Sequence, residues 1–271
     1  LSEILGIPKE DRQKLVSWME FLELAQYFTY EMIKEQNEGK TDSTPDPAMI
    51  DMFNAMVDEM FDYGRFILKN KRENPSDDLL SAIANAKIDD KKLTDEFLDG
   101  SWLLIIFAGN DTTRNTMSGG IKLLHENQSQ KELLMQNLDL LPNFINETVR
   151  CVSPVIHMRR TSLEETEING QRIGPYEKIS LWYGAANRDP DIFENPDQFN
   201  ILRENADKHL AFGIGRHTCL GKPVALMQLQ EFYSQFLVRF KDFEMNGDWK
   251  VAPNNFVHAI QEMPIKFTPI K

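Results

Sequence analysis

The stretch HLAFGIGRHTCLGKPVALMQLQEF, residues His209–Phe232, places three glycines and a histidine around one cysteine directly before a predicted helix. Glycine permits backbone conformations that a Cβ atom forbids, so we expect the chain to wrap tightly here against something flat. The glycines are Gly213, Gly215 and Gly221. The helix is predicted to begin between residues 221 and 224, so its unpaired N–H groups would point towards the Cys219 sulfur and favour a thiolate.

A single thiolate in such a loop is a soft anionic ligand for a metal. The chain has two cysteines, Cys151 and Cys219, so a Cys-rich zinc or iron–sulfur site is excluded. Haem iron fits a lone cysteine best. Arg216 and His217 are then expected to supply positive charge or hydrogen bonds to the haem propionates.

The composition narrows the class of protein. With 271 residues, 41% of them hydrophobic, the chain can bury a large core. Its net charge of -12 argues against nucleic acid as a partner. Two cysteines fit a reducing compartment, and the sequence has neither a long apolar run nor a signal pattern, so we expect a cytoplasmic protein without a membrane span. The opening LSEILGIPKEDRQ predicts a piece of a longer chain.

Helical periodicity dominates the first half. A helix is predicted from Pro8 to Leu24, a polar loop over Glu35–Pro47, and a second helix whose methionine and phenylalanine stripe is interpreted as core. The stripe comprises Met49, Met52, Phe53, Met56, Met60 and Phe61. Thr94 is a predicted N-cap, and the helix after it is expected to run to about Asn127, roughly 50 Å.

The segment FAGNDTTRN, residues Phe107–Asn115, interrupts that long helix with residues of low helix propensity directly after the apolar run LLIIF. Threonine hydroxyls can bond to preceding carbonyls, and Gly109 allows another group to approach the backbone. We therefore predict a local distortion of the helix. A solvent-facing helical turn is the alternative interpretation.

The second half mixes helices with short strands. Glu147 and Arg150 lie three apart on a predicted helix, close enough to pair. Asn169-Gly170 predicts a two-residue hairpin, and Lys178–Tyr183 a strand. NRDPDIFENPDQFN, residues 187–200, is rich in turn formers and predicts a meander with little regular structure.

Three of these patterns, in this order along the chain, resemble the cytochrome P-450 haem-thiolate monooxygenases. The helix motif is matched by Ala108, Gly109, Asn110, Asp111, Thr112 and Thr113, the Glu-x-x-Arg motif by Glu147 and Arg150, and the cysteine-loop motif by Phe212, Gly213, Gly215, His217, Cys219 and Gly221. The resemblance implies the cytochrome P-450 fold, mainly α with small β-sheets, as one domain over residues 1–271 that corresponds to the later part of a family member.

The resemblance also assigns roles to residues. Cys219 would be the proximal ligand of haem b, whose electron donation favours O–O cleavage. Phe212 and Gly213 would contact the haem, and Arg160 and His217 would bind its propionates. Asp111 and Thr112 would manage protons at the distal face, while Glu147, Arg150 and Arg203 would form a buried ionic network behind the cysteine loop. We interpret that network as structural.

The implied reaction inserts one oxygen atom from O2 into a small apolar substrate. GNDTTRNTMSGG, HMRRT and NNFVHAIQEMPIKFTP look most like bacterial hydroxylases of alkanes, fatty acids and related aliphatic or terpenoid-like chains. Electrons are expected from a ferredoxin and its ferredoxin reductase. The cations grouped in sequence around the cysteine are the predicted docking site for the acidic ferredoxin; they are Lys208, Arg216, His217 and Lys222.

Other classes of protein stay open. A phosphate-binding enzyme would need G-x-G-x-x-G, and GIGRHT lacks the last glycine. A haem-based gas sensor would not need Asp111 and Thr112, and a peroxide-driven haem-thiolate enzyme would lack that pair in its usual form. A structural helical module predicts no bound chromophore.

Overall fold

The structure, a computed structural model, describes residues 2–22, 47–252, 254 and 256–269, and helix is the main secondary structure of these residues. These residues group into two compact units, Leu1–Asn110 and Asp111–Lys271. The helix predicted from Pro8 begins as a 3-10 turn over Lys9–Asp11 and continues as α1 over residues 12–22; Leu24 and residues 35–46 of the predicted loop lie outside the described residues.

The first unit contains four described helices and one short strand pair. They are α1, α2 (Pro47–Glu73), α3 (Leu79–Asn85), β1 (Lys87–Ile88), β2 (Lys91–Lys92) and α4 (Asp95–Ala108). Trp102 of α4 is buried, and its Nε1 donates a 2.9 Å hydrogen bond to the Met60 carbonyl of α2. A Cβ on Gly64 would lie 2.5 Å from the Trp102 ring, so glycine allows α4 to pack closely on α2.

The interpretation of the α2 stripe as core is wrong for Met52 and Phe53. Met60 is buried, and Met56 and Phe61 pack against the core of the first unit. Met52 and Phe53 are 50% and 38% exposed. From Met56 onwards α2 contributes side chains to the core of the first unit, where Trp102 of α4 packs against it.

The single long helix predicted from Thr94 to Asn127 is also wrong, because the structure has two helices there. Thr94 accepts the Phe97 N–H as the predicted N-cap, and α4 ends at Ala108 with Gly109 as its C-cap. A new helix, α5 (Asp111–Glu126), starts with an aspartate in its first turn, where a carboxylate stabilises the helix dipole. The predicted distortion is therefore a complete break.

The second unit begins with α5 and contains four further helices and four strand pairs among its described residues. The helices are α6 (Gln128–Gln136), α7 (Leu141–Val152), α8 (Tyr183–Ala186) and α9 (Lys222–Arg239). The antiparallel pairs are β3 (His157–Thr161) with β6 (Lys178–Trp182), β4 (Thr166–Ile168) with β5 (Gln171–Ile173), β7 (Phe240–Met245) with β10 (Ile265–Pro269), and β8 (Lys250–Ala252) with β9 (Ala259–Glu262).

The Asn169-Gly170 hairpin is confirmed, with φ of 50° and 81° at the two residues, which are the positive values that a type I′ turn requires. The predicted strand from Lys178 ends at Trp182, one residue early, because Tyr183 opens α8. Residues 187–200 form the expected meander of turns, without helix or strand.

The core of the second unit lies between α5, α7 and α9. Tyr233 of α9 is fully buried, and its hydroxyl donates towards the carbonyls of Thr116 and Met117 on α5 at 3.1 and 2.9 Å. A Cβ on Gly120 would lie 2.0 Å from that hydroxyl, so only glycine admits the phenol here. This contact joins the helix after Cys219 to the helix that carries Asp111.

Candidate functional site

The cysteine loop, residues 209–221, is a tightly turned segment directly before α9. The Cys219 N–H donates a 2.8 Å hydrogen bond to the Phe212 carbonyl. Gly213 has φ of +70°, and a Cβ there would lie 3.0 Å from the His217 carbonyl oxygen. The loop therefore requires glycine at residue 213 to bring the backbone of Phe212 next to that of Cys219.

The Cys219 sulfur lies beside the N-terminus of α9. The Lys222 N–H donates to the Cys219 carbonyl at 3.3 Å and the Ala225 N–H to the Gly221 carbonyl at 2.8 Å, while Pro223 in the first turn has no N–H. Cys219 is exposed, and so are the apolar side chains of Ile214 (74%) and Leu220 (77%). The thiol thus belongs to an exposed apolar surface, which suits a large apolar ligand.

The β3–β6 ribbon adds a cation to an apolar face. Met158 and Arg160 are two residues apart and therefore lie on the same face of β3. Their partners on β6 are Leu181 and Ile179. The Arg160 guanidinium donates to the Arg159 carbonyl at 2.8 Å, and within the described parts of the chain it has no carboxylate partner. This face therefore offers apolar contact and one uncompensated positive charge.

The ribbon adjoins the cysteine loop through Tyr183, the residue that follows β6. A Cβ built on Gly213 would lie 3.6 Å from the Tyr183 hydroxyl. His217, within the loop, is exposed and forms no ion pair with any described carboxylate.

These residues fit a haem. The group presents an apolar ring, two carboxylates and an iron that takes an axial ligand. The chain offers one exposed cysteine at a helix N-terminus, exposed apolar side chains beside it, and two cationic or hydrogen-bonding side chains, Arg160 and His217, that no described carboxylate occupies. Glycine at residue 213 also removes a side chain that would press on the loop.

Asp111 and Thr112 lie in the first turn of α5. Asp111 is 5% exposed and accepts a hydrogen bond from Arg114 at 3.2 Å, which balances its charge. Thr112 is half-buried, and its carbonyl accepts the Thr116 hydroxyl at 2.7 Å. Asp111 is buried while Ala108, Asn110 and Arg114 are exposed, so the segment is only partly solvent-facing. A buried acid and a neighbouring alcohol at a helix break can hold and pass a proton.

The structure brings Glu147, Arg150 and Arg203 together. The Glu147 carboxylate accepts hydrogen bonds from Arg150 at 2.7 and 2.8 Å, and from Arg203 at 3.1 Å to both oxygens. All three are buried, with relative exposures of 0, 0 and 7%. Arg150 also donates to the Pro196 carbonyl at 2.7 Å, and Arg203 to the Glu194 carbonyl at 2.7 Å. The network therefore fastens the meander to α7.

Sequence reasoning missed several residues of this region. Asn187 is fully buried and bonds to the end of α7 and to the cysteine loop, and His209 at the start of the cysteine loop is buried with its Nδ1 accepting the Ala211 N–H. Burial lowers the pKa of His209 to about 4, and the nearby Lys222 charge adds to that shift. Asn187 stands in a turn-rich meander and looked like a turn former, so no local signal separated it from its neighbours.

The spacing of Ala225, Leu229, Phe232, Phe236 and Phe240 predicts that these residues form the inward face of α9, and this prediction is partly correct. Leu229 is buried, and Phe232 and Phe236 pack against the core, but the most buried aromatic is Tyr233. The face is rotated because the opening at Gly120 admits the phenol ring.

A mainly α fold with a glycine-turned cysteine before a helix is the arrangement of the haem-thiolate class of proteins. The family model described as Cytochrome P-450 matches residues 43–268, and the chain belongs to that family.

Three curated relatives extend over nearly the whole chain. Cytochrome P-450-terp of a Pseudomonas species is 33% identical over 97% of this chain and 60% of the relative. Linalool 8-monooxygenase of Pseudomonas putida is 31% identical over 99% and 62%, and steroid C26-monooxygenase of Mycobacterium tuberculosis is 32% identical over 99% and 69%. The chain thus spans 60 to 69% of the length of these relatives.

Solved structures show the same fold. P-450BioI in complex with an acyl carrier protein ligated to hexadec-9Z-enoic acid matches with a TM-score of 0.82 and 30% identity, over 98% of this chain and 65% of that one. A Bacillus megaterium protein of the family in complex with testosterone gives 0.79 and 30%, over 97% and 67%. Among the described helices, we find none with the length and apolar character needed to cross a membrane.

Proposed function

We propose that the protein is a monooxygenase that holds haem b through Cys219 and inserts one oxygen atom from O2 into an apolar substrate. The observation that carries the proposal is the exposed Cys219 thiol, placed by the Phe212 carbonyl at the N-terminus of α9 within an exposed apolar surface. Membership of the cytochrome P-450 family and the relatives named monooxygenases support it.

Binding of the cofactor falls to four groups of this chain. Cys219 would supply the axial sulfur ligand. Arg160 and His217 would bind the haem carboxylates, and the exposed apolar side chains beside the cysteine would contact the ring. Phe212 and Gly213 would face the ring from the loop. When bound, the haem supplies the activation of O2, and the thiolate ligand favours cleavage of the O–O bond.

Residues at the start of α5 would deliver protons. Arg114 donates a 3.2 Å hydrogen bond to the Asp111 carboxylate and so holds it at a fixed position. From that position the carboxylate can take up a proton from solvent and pass it on. Thr112 is adjacent, and its backbone is held by Thr116. We assign Asp111 as the proton source and Thr112 as the alcohol that orients the proton in the distal pocket.

The proposed substrate is an aliphatic chain, and a terpenoid-like one is favoured over an alkane or a fatty acid. The basis is the likeness to cytochrome P-450-terp and to linalool 8-monooxygenase, at 33% and 31% identity. The steroid C26-monooxygenases at 32% identity widen the range to larger apolar molecules.

The proposed electron donors are a ferredoxin and its reductase. The chain carries a net charge of -12, yet Lys208, Arg216 and His217 are exposed in or directly before the cysteine loop, and the half-buried Lys222 directly follows it. An acidic ferredoxin would be attracted to this local positive patch. Free cysteines at residues 151 and 219 agree with the reducing cytoplasm as the compartment.

The test uses the full-length protein with ferredoxin, reductase and isotopically labelled O2. The proposal predicts a product of linalool or terpineol that carries one labelled oxygen atom. Product formed only with hydrogen peroxide, with no turnover from the ferredoxin, would favour the peroxide-driven alternative. The Asp111–Thr112 pair at the break before α5 argues against that alternative.

A further inference from the structure

Asn187 is a fully buried amide at the end of α8 whose two polar atoms have different partners. Its Oδ1 accepts the Leu210 N–H at 2.6 Å, and its Nδ2 donates to the Ser153 hydroxyl at 2.8 Å. The Ser153 hydroxyl in turn donates to the Arg150 carbonyl at 2.9 Å. Because the Leu210 N–H can only donate, the partners fix the orientation of the amide.

The Asn187 backbone is equally constrained. Its N–H donates to the Tyr183 carbonyl at 2.8 Å, and its carbonyl accepts Arg150 Nη1 at 2.8 Å. Arg150 is itself fixed by Glu147. The side chain therefore projects from a rigid, buried base, which is the arrangement needed to hold another segment at a set position.

The segment it holds is the cysteine loop. Within the part of the chain that the structure describes, the Asn187–Leu210 bond is the one hydrogen bond that joins residues 209–221 to another segment. The other bonds of the loop are internal or lead into α9.

From Leu210 the bonding continues to the cysteine. The Leu210 carbonyl accepts the Gly213 N–H at 2.8 Å. The residue before Gly213 is Phe212, whose carbonyl accepts the Cys219 N–H at 2.8 Å. A shift at Leu210 would thus be transmitted to the backbone of Cys219 through two short hydrogen bonds.

We infer that Asn187 is a positioning residue for Cys219: it connects the buried Glu147–Arg150 pair to the start of the cysteine loop and sets the position of the sulfur. The inference rests on the proposed function in one respect: the position of the sulfur matters because the sulfur is proposed to bind haem. The bond to the loop itself does not depend on the cofactor.

The test compares three variants of the full-length protein. Asn187→Leu removes both polar atoms, and Asn187→Asp keeps an oxygen acceptor for the Leu210 N–H. Ser153→Ala is the matched control, because it removes the other hydrogen bond of the same amide and leaves the bond to Leu210.

Amide hydrogen exchange over residues 209–219 is measured first, without haem. Exchange in Asn187→Leu should rise by roughly tenfold, since the Leu210 N–H loses its partner, while Asn187→Asp and Ser153→Ala should stay near wild type. The second measurement is the absorption of the reduced carbon monoxide complex, which in Asn187→Leu should lose part of its thiolate-type band.

The outcomes distinguish the proposed haem binding from the proposed role of Asn187. A wild-type protein without a thiolate-type band would contradict the proposed function. A wild type with the band, together with an Asn187→Leu variant that matches Ser153→Ala in exchange and spectrum, would overturn the role of Asn187 alone. If Asn187→Leu does not fold, Leu210→Pro removes the same hydrogen bond from the loop side, and the ψ of 150° at His209 suits a residue before proline.

Discussion

The Cys219 N–H lies 2.8 Å from the Phe212 carbonyl oxygen, so the loop between them closes on itself before α9 begins. This closure presents the sulfur at the helix N-terminus and leaves Ile214 and Leu220 exposed beside it. Exposed apolar side chains mark interaction sites, and the proposed haem would cover these two.

The alcohol at the start of α5 is tested by Thr112→Ala. We expect haem binding and the thiolate-type spectrum to be unchanged, because Thr112 does not contribute to the cysteine loop. The rate of product formation should fall by roughly tenfold or more, with more peroxide released per electron consumed, because proton delivery is disturbed.

Ser118→Ala, which removes another half-buried hydroxyl from α5, is the control and should keep wild-type coupling. Equal coupling efficiency in Thr112→Ala and wild type would show that Thr112 is not the distal alcohol.

The buried ionic network is tested by Glu147→Gln, which keeps the shape of the side chain and removes its charge. Arg150 and Arg203 would then be buried without a carboxylate, so we expect the free energy of unfolding to fall by about 3–5 kcal/mol. Urea unfolding measures this loss.

Glu126→Gln is the matched control, because Glu126 pairs with Lys122 at the surface of α5 and such pairs contribute at most about 1 kcal/mol. Similar losses in the two variants would contradict the importance of the buried network.

The docking surface is tested by reversing Arg216 and Lys222 to Glu together. Reduction by a ferredoxin should slow by roughly tenfold or more at low salt, and its dependence on salt should weaken, while substrate binding should be unchanged. Stopped-flow reduction at several ionic strengths is the measurement.

The pair Lys91→Glu and Lys92→Glu makes the same change in net charge on an exposed hairpin of the first unit. If that pair slows reduction as much as the Arg216 and Lys222 pair, total charge and not a local patch controls the encounter.

His209 predicts a pH dependence of stability. Burial lowers its pKa to about 4, below the unfolded value of about 6.5, so between these values the unfolded chain binds the proton and the folded chain does not. The free energy of unfolding should therefore fall as the pH falls from about 6.5 to 4, by up to about 3 kcal/mol from this group.

His209→Asn should lose this component. His258, whose pKa burial also lowers, is present in both proteins and cancels in the comparison. Unfolding curves with the same pH dependence in wild type and variant would contradict a buried neutral His209.

Local chemistry determined which features the sequence predicts. The Asn169-Gly170 hairpin and the Glu147–Arg150 pair depend on residues a few positions apart, so turn chemistry and helix spacing are sufficient. The break before Asp111 was visible as low helix propensity, but its completeness was not, because propensity does not say where a new helix begins. Arg203 entered through the family resemblance, since no periodicity links it to Glu147.

Contacts between distant segments explain what the sequence did not predict. Asn187 bonds to Leu210, and Tyr233 packs into the opening at Gly120. Neither pair is close in sequence. The exposed Met52 and Phe53 of α2 show the same limit, because an apolar stripe does not indicate which of its turns another helix covers.

The central claim is that Cys219 binds haem as a thiolate. The most direct measurement is the difference spectrum of the reduced, carbon monoxide-bound full-length protein, recorded for wild type and Cys219→Ala, with Cys151→Ala as the control. Burial, together with the Glu147 charge, raises the pKa of the half-buried Cys151 thiol to about 11, so this residue is not expected to replace Cys219 as the ligand. We predict a thiolate-type band in wild type and Cys151→Ala and its loss in Cys219→Ala. An unchanged thiolate-type band in Cys219→Ala would contradict the account.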